Sequence, residues 1–204
     1  MITIVDYGVG NSLSVKNMIK RAGGQAEITG DLDLISKATS LIIPGVGNFA
    51  KAMLKLHESG LLDVLNKKVL VDKVPVLGIC LGMQLLFEHS EEGDAKGLGW
   101  IPGNVVKFPE GNLKVPHMGW TETQVVNENA LIQSTEEELR YYYVHSYYVK
   151  CSDFAHVIAT ANYGLEFHSA VNLGNIYGTQ FHPEKSHRYG LQIMENYLKI
   201  CHEN

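Results

Sequence analysis

The sequence predicts an α/β fold: one open, mostly parallel sheet flanked by helices, extended by antiparallel strands in its second half. Three observations lead there. Over the first ninety or so residues, short β-rich runs alternate with stretches whose apolar residues recur at helical spacing. Gly, Pro and Asn stand at the ends of those runs, where parallel strands hand over to crossover helices. After Gly93 the helical period disappears and punctuated β-like runs replace it.

The elements follow in order. Met1 to Val5 reads as a fully buried strand, and Asp6 to Ser12 as a turn. Leu13, Val15, Met18, Ile19 and Ala22 then mark a helix that stops at Gly23-Gly24. A weaker strand spans Gln25 to Thr29, and a third spans Ser40 to Ile43, stopped by Pro44. A long helical pattern runs from about Ala50 to Lys67, with an interruption expected at Gly60. Val74 to Ile79 is a fourth strand and Leu81 to Glu88 a helix. Val105 to Phe108, Tyr141 to Val149, His156 to Ala161 and Ala170-Val171 supply the antiparallel extension. Asn175 to Phe181 is a last strand, and Tyr189 to Ile200 a closing helix with Leu191, Met194, Tyr197 and Leu198 on one face.

No linker or repeat divides the 204 residues, so a single domain, 1–204, is expected. Hydrophobic residues make up 45% of the chain and charged residues 19%, enough for a core without staples. The net charge of −5, with no Lys/Arg run longer than two, excludes the basic footprint of a nucleic-acid binder. Cys80, Cys151 and Cys201 are an odd, widely spaced set that argues against a disulfide framework and for a reducing compartment. The N-terminus lacks a signal-peptide pattern, and no apolar run reaches the roughly 20 residues a bilayer needs. A cytoplasmic protein without membrane contact is expected.

The strongest local signal is Gly78-Ile79-Cys80-Leu81-Gly82, which joins a buried strand to a helix. This is the layout of a nucleophile elbow with sulfur in place of oxygen. A sharp strand-to-helix turn leaves no room for Cβ atoms on either side of the nucleophile, and the helix amides beyond it favour a thiolate at Cys80 and an oxyanion near Leu81. A buried structural cysteine is the competing reading. A thiolate needs a base, and His182 follows an apolar strand and precedes Pro183-Glu184. In an extended His-x-Glu segment the two side chains share a side, so Glu184 can hold one imidazole nitrogen while the other faces sulfur. An exposed turn is the alternative there. Both signals fall at carboxyl ends of strands, where open α/β sheets place their sites.

Pro44-Gly45-Val46-Gly47 ends another buried strand, and its amides could offer a second oxyanion donor, although a plain tight turn explains its spacing as well. Gly8-Val9-Gly10 lacks the third glycine of a dinucleotide fingerprint because Leu13 occupies that place. His182-Pro183-Glu184 lacks the downstream Pro-Cys-x-x-Cys of a zinc deaminase. No metal and no cofactor are assigned. His145, in the aromatic run Tyr141 to Tyr148, reads as packing. His117-Met118-Gly119-Trp120 reads either as core or as a contact surface.

Taken in order, Pro44-Gly45-Val46-Gly47, Gly78 to Gln84, Pro116-His117-Met118-Gly119-Trp120, Val144-His145-Ser146-Tyr147 and Gln180 to Ser186 resemble the class I glutamine amidotransferases over nearly the whole chain. Within that class they look most like the glutaminase subunits of histidine biosynthesis. The resemblance implies hydrolysis of L-glutamine to glutamate and ammonia by Cys80, His182 and Glu184. It implies an oxyanion site formed by Leu81 and the Gly45-Val46-Gly47 segment, and a glutamine pocket lined by Gly47, Gln84, Ser146 and Tyr147. It also implies a (β/α)8-barrel cyclase subunit as partner, receiving the ammonia in a heterodimer, with Trp120, Tyr142 and Lys185 at the interface and gate.

Thr121 stands where the histidine-pathway pattern usually has Asn, Ser12-Leu13 replaces a more usual pair, and His187-Arg188-Tyr189-Gly190 follows Ser186. The last departure looks more like a paralogous branch that feeds a sugar amidotransferase for surface polysaccharide. A stand-alone cysteine hydrolase of DJ-1-like type and an idle scaffold for a barrel enzyme are the remaining alternatives.

Overall fold

The structure, a computed structural model, describes residues 1–109, 111, 113–133 and 138–203. It begins with the expected alternation: β1 (Ile2–Val5), α1 (Ser12–Arg21), β2 (Ala26–Thr29), α2 (Leu32–Ser36), β3 (Leu41–Gly45), α3 (Phe49–Glu58), α4 (Leu61–Asn66) and a π-helical turn (Lys67–Val71), then β4 (Val76–Cys80) and α5 (Leu81–Leu85). The second half supplies β5 (Phe87–Ser90), β6 (Ala95–Lys96), β7 (Ile101–Lys107), β8 (His117–Val125), β9 (Leu139–His145), β10 (Tyr147–Cys151), β11 (Val157–Asn162), β12 (Glu166–Leu173) and β13 (Ile176–Thr179). The closing helix is α6 (His187–Glu203).

All thirteen strands join one sheet whose main path runs β2-β1-β3-β4-β13-β12-β10-β7-β5-β6, with β11, β8 and β9 branching from β12. The first five strands of that path are parallel. Their near-continuous apolar sequences follow from burial on both faces. On one face Ile4, Ile42, Leu77 and Ile79 pack with Val15, Met18 and Ile19 of α1 and with Ile193, Met194 and Tyr197 of α6. On the other, Val5, Leu41, Ile43 and Val76 meet Phe49, Met53, Leu56, Leu61 and Leu65 of α3 and α4. Burial of this kind contributes about 1.5–3 kcal/mol for each large aliphatic side chain, before entropy is counted. The antiparallel extension begins at β12, which pairs with both β13 and β10.

Several boundaries differ from the sequence expectation. The helix from Leu81 ends at Leu85 rather than Glu88, because Phe87 enters a parallel ladder opposite Ile101. The Leu86 carbonyl accepts from the amides of Trp100 and Ile101 instead of from a further helical turn. Pro44 lies within β3: the β1 ladder ends at the Ile4–Ile42 pair, while β4 continues alongside to the Gly45–Cys80 pair. The pattern from Ala50 to Lys67 resolves into α3 and α4, divided at Gly60. Tyr141 to Val149 is two strands broken at Ser146, and His117 to Trp120, read as core or contact surface, opens the nine-residue strand β8.

Candidate active site

The carboxyl ends of β3, β4 and β13 converge. Gly45 and Cys80 are register partners, and Ile79 pairs with Thr179, three residues before His182. Cys80 is the junction of β4 and α5, with φ 54° and ψ −110°, a left-handed backbone that a β-carbon disfavours. The flanking glycines make this turn sterically feasible. A β-carbon on Gly82 would lie 1.8 Å from the Ile43 carbonyl oxygen, and one on Gly78 would lie 2.6 Å from the Gly82 carbonyl oxygen. The five-residue α5 is too short for a developed macrodipole, so the local amides rather than a long helix shape the field at sulfur.

His182 follows β13 in extended conformation and starts a 3-10 turn (Pro183–Lys185). Its Nδ1 lies 2.8 Å from Glu184 Oε1, and both side chains are almost completely buried. The His182 Nε2, also buried, has no hydrogen-bond partner among the described residues. Burial of the ring disfavours the imidazolium, yet the Cys80 sulfur and the Glu184 carboxylate together outweigh it and push His182 up to about 10. The Cys80 Sγ has the Val144 carbonyl oxygen at 3.8 Å and the Gln180 Nε2 at 3.8 Å.

Cys80 and His182 line one cavity of about 280 Å³, together with Val46, Gly47, Leu81, Gln84, Ser146 and Tyr147. That size suits a small metabolite. Gly45 does not line it: a β-carbon there would meet the Gly82 amide at 2.6 Å and the Leu81 side chain at 2.8 Å, so Gly45 sits behind the turn and brings β3 against it. Gly47, with φ 101° and open space around it, gives the loop at the cavity mouth a backbone no other residue adopts easily. Two other clefts, of about 460 and 570 Å³, are lined by no described histidine, cysteine or acid.

Sequence reasoning passed over three contributors. Glu92 lines the cavity and carries the only carboxylate among its described walls, and its Oε2 accepts from the Phe49 amide. Gln180 is fully buried beside the sulfur, and the Val144 carbonyl faces the same atom. Glu92 follows a strand too short to read from pattern. Gln180 lies two residues before His182 in the same motif, and nothing in the sequence marks an amide there as a partner of sulfur. His117 and His145 prove to be buried partners, Nδ1 to Nε2 at 2.9 Å, and burial lowers them to about 4 and about 3.

Trp120, Tyr142 and Lys185 are drawn together at the molecular surface. The Trp120 ring stands edge-on to Tyr142, and Lys185 Nζ lies 5.6 Å from the Tyr142 ring centre. Trp120 is 46% exposed and stacks on His187 at 5.4 Å with the rings nearly parallel. The patch is tied to the histidine: His182 N donates to the Tyr142 carbonyl, Tyr142 N donates to Ser186 Oγ, and Ser186 Oγ donates to the His182 carbonyl.

A cysteine on a glycine-framed turn and an acid-held histidine above a parallel sheet are the makings of a cysteine hydrolase, and the chain belongs to the class I glutamine amidotransferases, whose family model matches residues 3–200. Its relatives within that family are more particular. It is 54% identical over 98% of its length to imidazole glycerol phosphate synthase subunit HisH 2 of Methanococcus maripaludis, of which 99% is covered. It is 44% identical, again over 98% of its length, to the whole of subunit HisH 2 of Pseudomonas aeruginosa. Among solved structures, a glutamine amidotransferase matches with TM-score 0.79 at 17% identity, covering 99% of this chain and 100% of that one. PurLQS from Thermotoga maritima matches with TM-score 0.73 at 18% identity, covering 98% and 97%. These structural likenesses speak for the fold.

Proposed function

We propose that the protein is the glutaminase subunit of an imidazole glycerol phosphate synthase, hydrolysing L-glutamine and passing the ammonia to a (β/α)8-barrel cyclase subunit in the cytoplasm. The observation that carries this is the pairing of Cys80 and His182 in one cavity, with Glu184 fixed on the far imidazole nitrogen. Sequence identity to HisH subunits over nearly the full chain supports the pathway.

In this reading the Cys80 sulfur attacks the carboxamide carbon of glutamine. Charge on the carbonyl oxygen is met by the Leu81 amide and by the Val46-Gly47 loop, with Val46 turning its peptide toward the oxyanion. As the C–N bond breaks, His182 gives its proton to the nitrogen and ammonia departs, leaving a thioester on Cys80. His182 then takes a proton from water, hydroxide adds to the thioester, and collapse expels the sulfur and frees glutamate. Glu184 keeps the ring in its tautomer throughout. Gln84, Ser146 and Tyr147 seat the substrate, and Glu92 supplies the negative charge that an α-ammonium group requires. No described helix is long and apolar enough to cross a membrane. Trp120, Tyr142 and Lys185 form the face that the cyclase covers, which accounts for a large exposed indole.

The test is Cys80→Ala in the reconstituted complex. Glutamine-dependent synthesis of imidazole glycerol phosphate should vanish while ammonia-dependent synthesis by the cyclase survives. Loss of both activities contradicts this division of roles. Reconstitution with a sugar amidotransferase in place of the cyclase tests the other branch, which the His187-Arg188 segment resembles.

A further inference from the structure

Gln180 has a polar side chain with no exposure to solvent, and its surroundings fix which way its amide points. The Tyr147 carbonyl oxygen can only accept. It lies 2.8 Å from His145 Nδ1 and 2.9 Å from Gln84 Nε2, so both of those atoms donate to it. The second hydrogen of Gln84 Nε2 is then directed at Gln180 Oε1, 3.0 Å away. With its oxygen committed as acceptor, Gln180 turns its Nε2 toward Cys80 Sγ at 3.8 Å. The far side of this arrangement is ordered by the same logic. His117 Nδ1 donates to His145 Nε2, and His117 Nε2 at 2.8 Å from Thr121 Oγ1 takes the hydroxyl proton. Aromatic rings of Tyr143 and Tyr163 stack on His117 and hold its ring in place.

We infer that Gln180 is a catalytic residue: its side-chain N–H donates to the Cys80 sulfur, and Gln84, anchored on the Tyr147 carbonyl, holds it in that orientation. The inference rests on Cys80 being the nucleophile. Sulfur carries negative charge twice in the cycle, as the thiolate before attack and as the group expelled when the second tetrahedral intermediate collapses. A donor fixed behind the sulfur stabilises it at both moments without moving a proton of its own. A hydrogen bond to a charged acceptor contributes more than a neutral one, and its loss leaves the anion buried against a group that cannot answer it. At the second moment His182 already holds the proton taken from water, and Gln180 acts on the same sulfur beside it.

The experiment compares Gln180→Glu, which keeps the acceptor for Gln84 but loses the donor, with Gln180→Leu, which loses both. The readout is the rate of Cys80 alkylation by iodoacetamide near neutral pH, with the glutamine KM measured alongside. The expected result is a slowing of alkylation by about tenfold in both variants, with KM changed far less than kcat. In the wild-type protein, alkylating Cys80 should also shift the Gln180 side-chain amide proton resonance, a measurement that needs no variant to fold. Unchanged alkylation rates in folded variants, or an unmoved resonance, overturn the role of Gln180 and leave Cys80 as nucleophile. Absence of alkylation at Cys80 in the wild type overturns both.

Discussion

Gly82 rests against the main chain of Ile43 so closely that a β-carbon on it would sit 1.8 Å from the Ile43 carbonyl oxygen. The turn that presents Cys80 is therefore packed directly on β3, the strand leading into the Val46–Gly47 loop. Gly82→Ala should push α5 away from β3 and destabilise the protein by on the order of 3 kcal/mol. Gly47→Ala meets open space but keeps a strained φ, and should cost only about 1 kcal/mol. Chemical denaturation of the two variants checks the contrast; equal losses would show that the close approach is not what holds the turn.

Glu184 touches the chemistry only through His182. Glu184→Gln should leave the fold and the glutamine KM close to wild type while kcat falls by roughly 100-fold or more, because the imidazole loses its orientation and the charge that supports its protonated form. Steady-state kinetics of the assembled enzyme provide the test.

The raised His182 and the lowered His117 and His145 act on stability in opposite pH windows. With its folded value near 10, His182 contributes stability that is full below about 6.5 and is lost as pH rises from there toward 10. The melting difference between wild type and His182→Gln should shrink over that range. With folded values of about 4 and about 3, His117 and His145 are neutral in the folded protein. The unfolded chain takes up protons that they do not, so stability should decline as pH falls from about 6.5 toward 3. Replacing both by glutamine should flatten that decline in urea titrations.

Trp120 is half-exposed and its neighbours are already satisfied within the chain. Trp120→Ala should change the melting temperature of the isolated subunit little, yet weaken binding to the proposed cyclase partner by about 2 kcal/mol or more. Titration calorimetry of the two purified subunits measures it.

The parallel half of the fold was legible because each strand is a buried apolar run and each helix keeps its period. The Cys80 turn was legible for a related reason: Gly78 and Gly82 are local marks of a backbone path that excludes β-carbons. The end of α5 was not, since Leu81 to Glu88 satisfies a helical pattern and only the arrival of Trp100 and Ile101 on the Leu86 carbonyl decides otherwise. Likewise β8 hid in a short aromatic motif until β9 paired with it. Contacts such as Gln84 to Gln180, ninety-six positions apart, leave no periodic trace in a single sequence. Nor does the sequence reveal that the Thr121 hydroxyl serves His117 Nε2, 2.8 Å away.

Of the three thiols, Cys80 alone should be the nucleophile of a glutamine pocket. Incubation with an electrophilic glutamine analogue, followed by mass spectrometry of the digested protein, tests it most directly. A single adduct on Cys80, suppressed by excess glutamine, is the predicted result. Adducts on Cys151 or Cys201, or labelling of Cys80 that glutamine does not prevent, would contradict it.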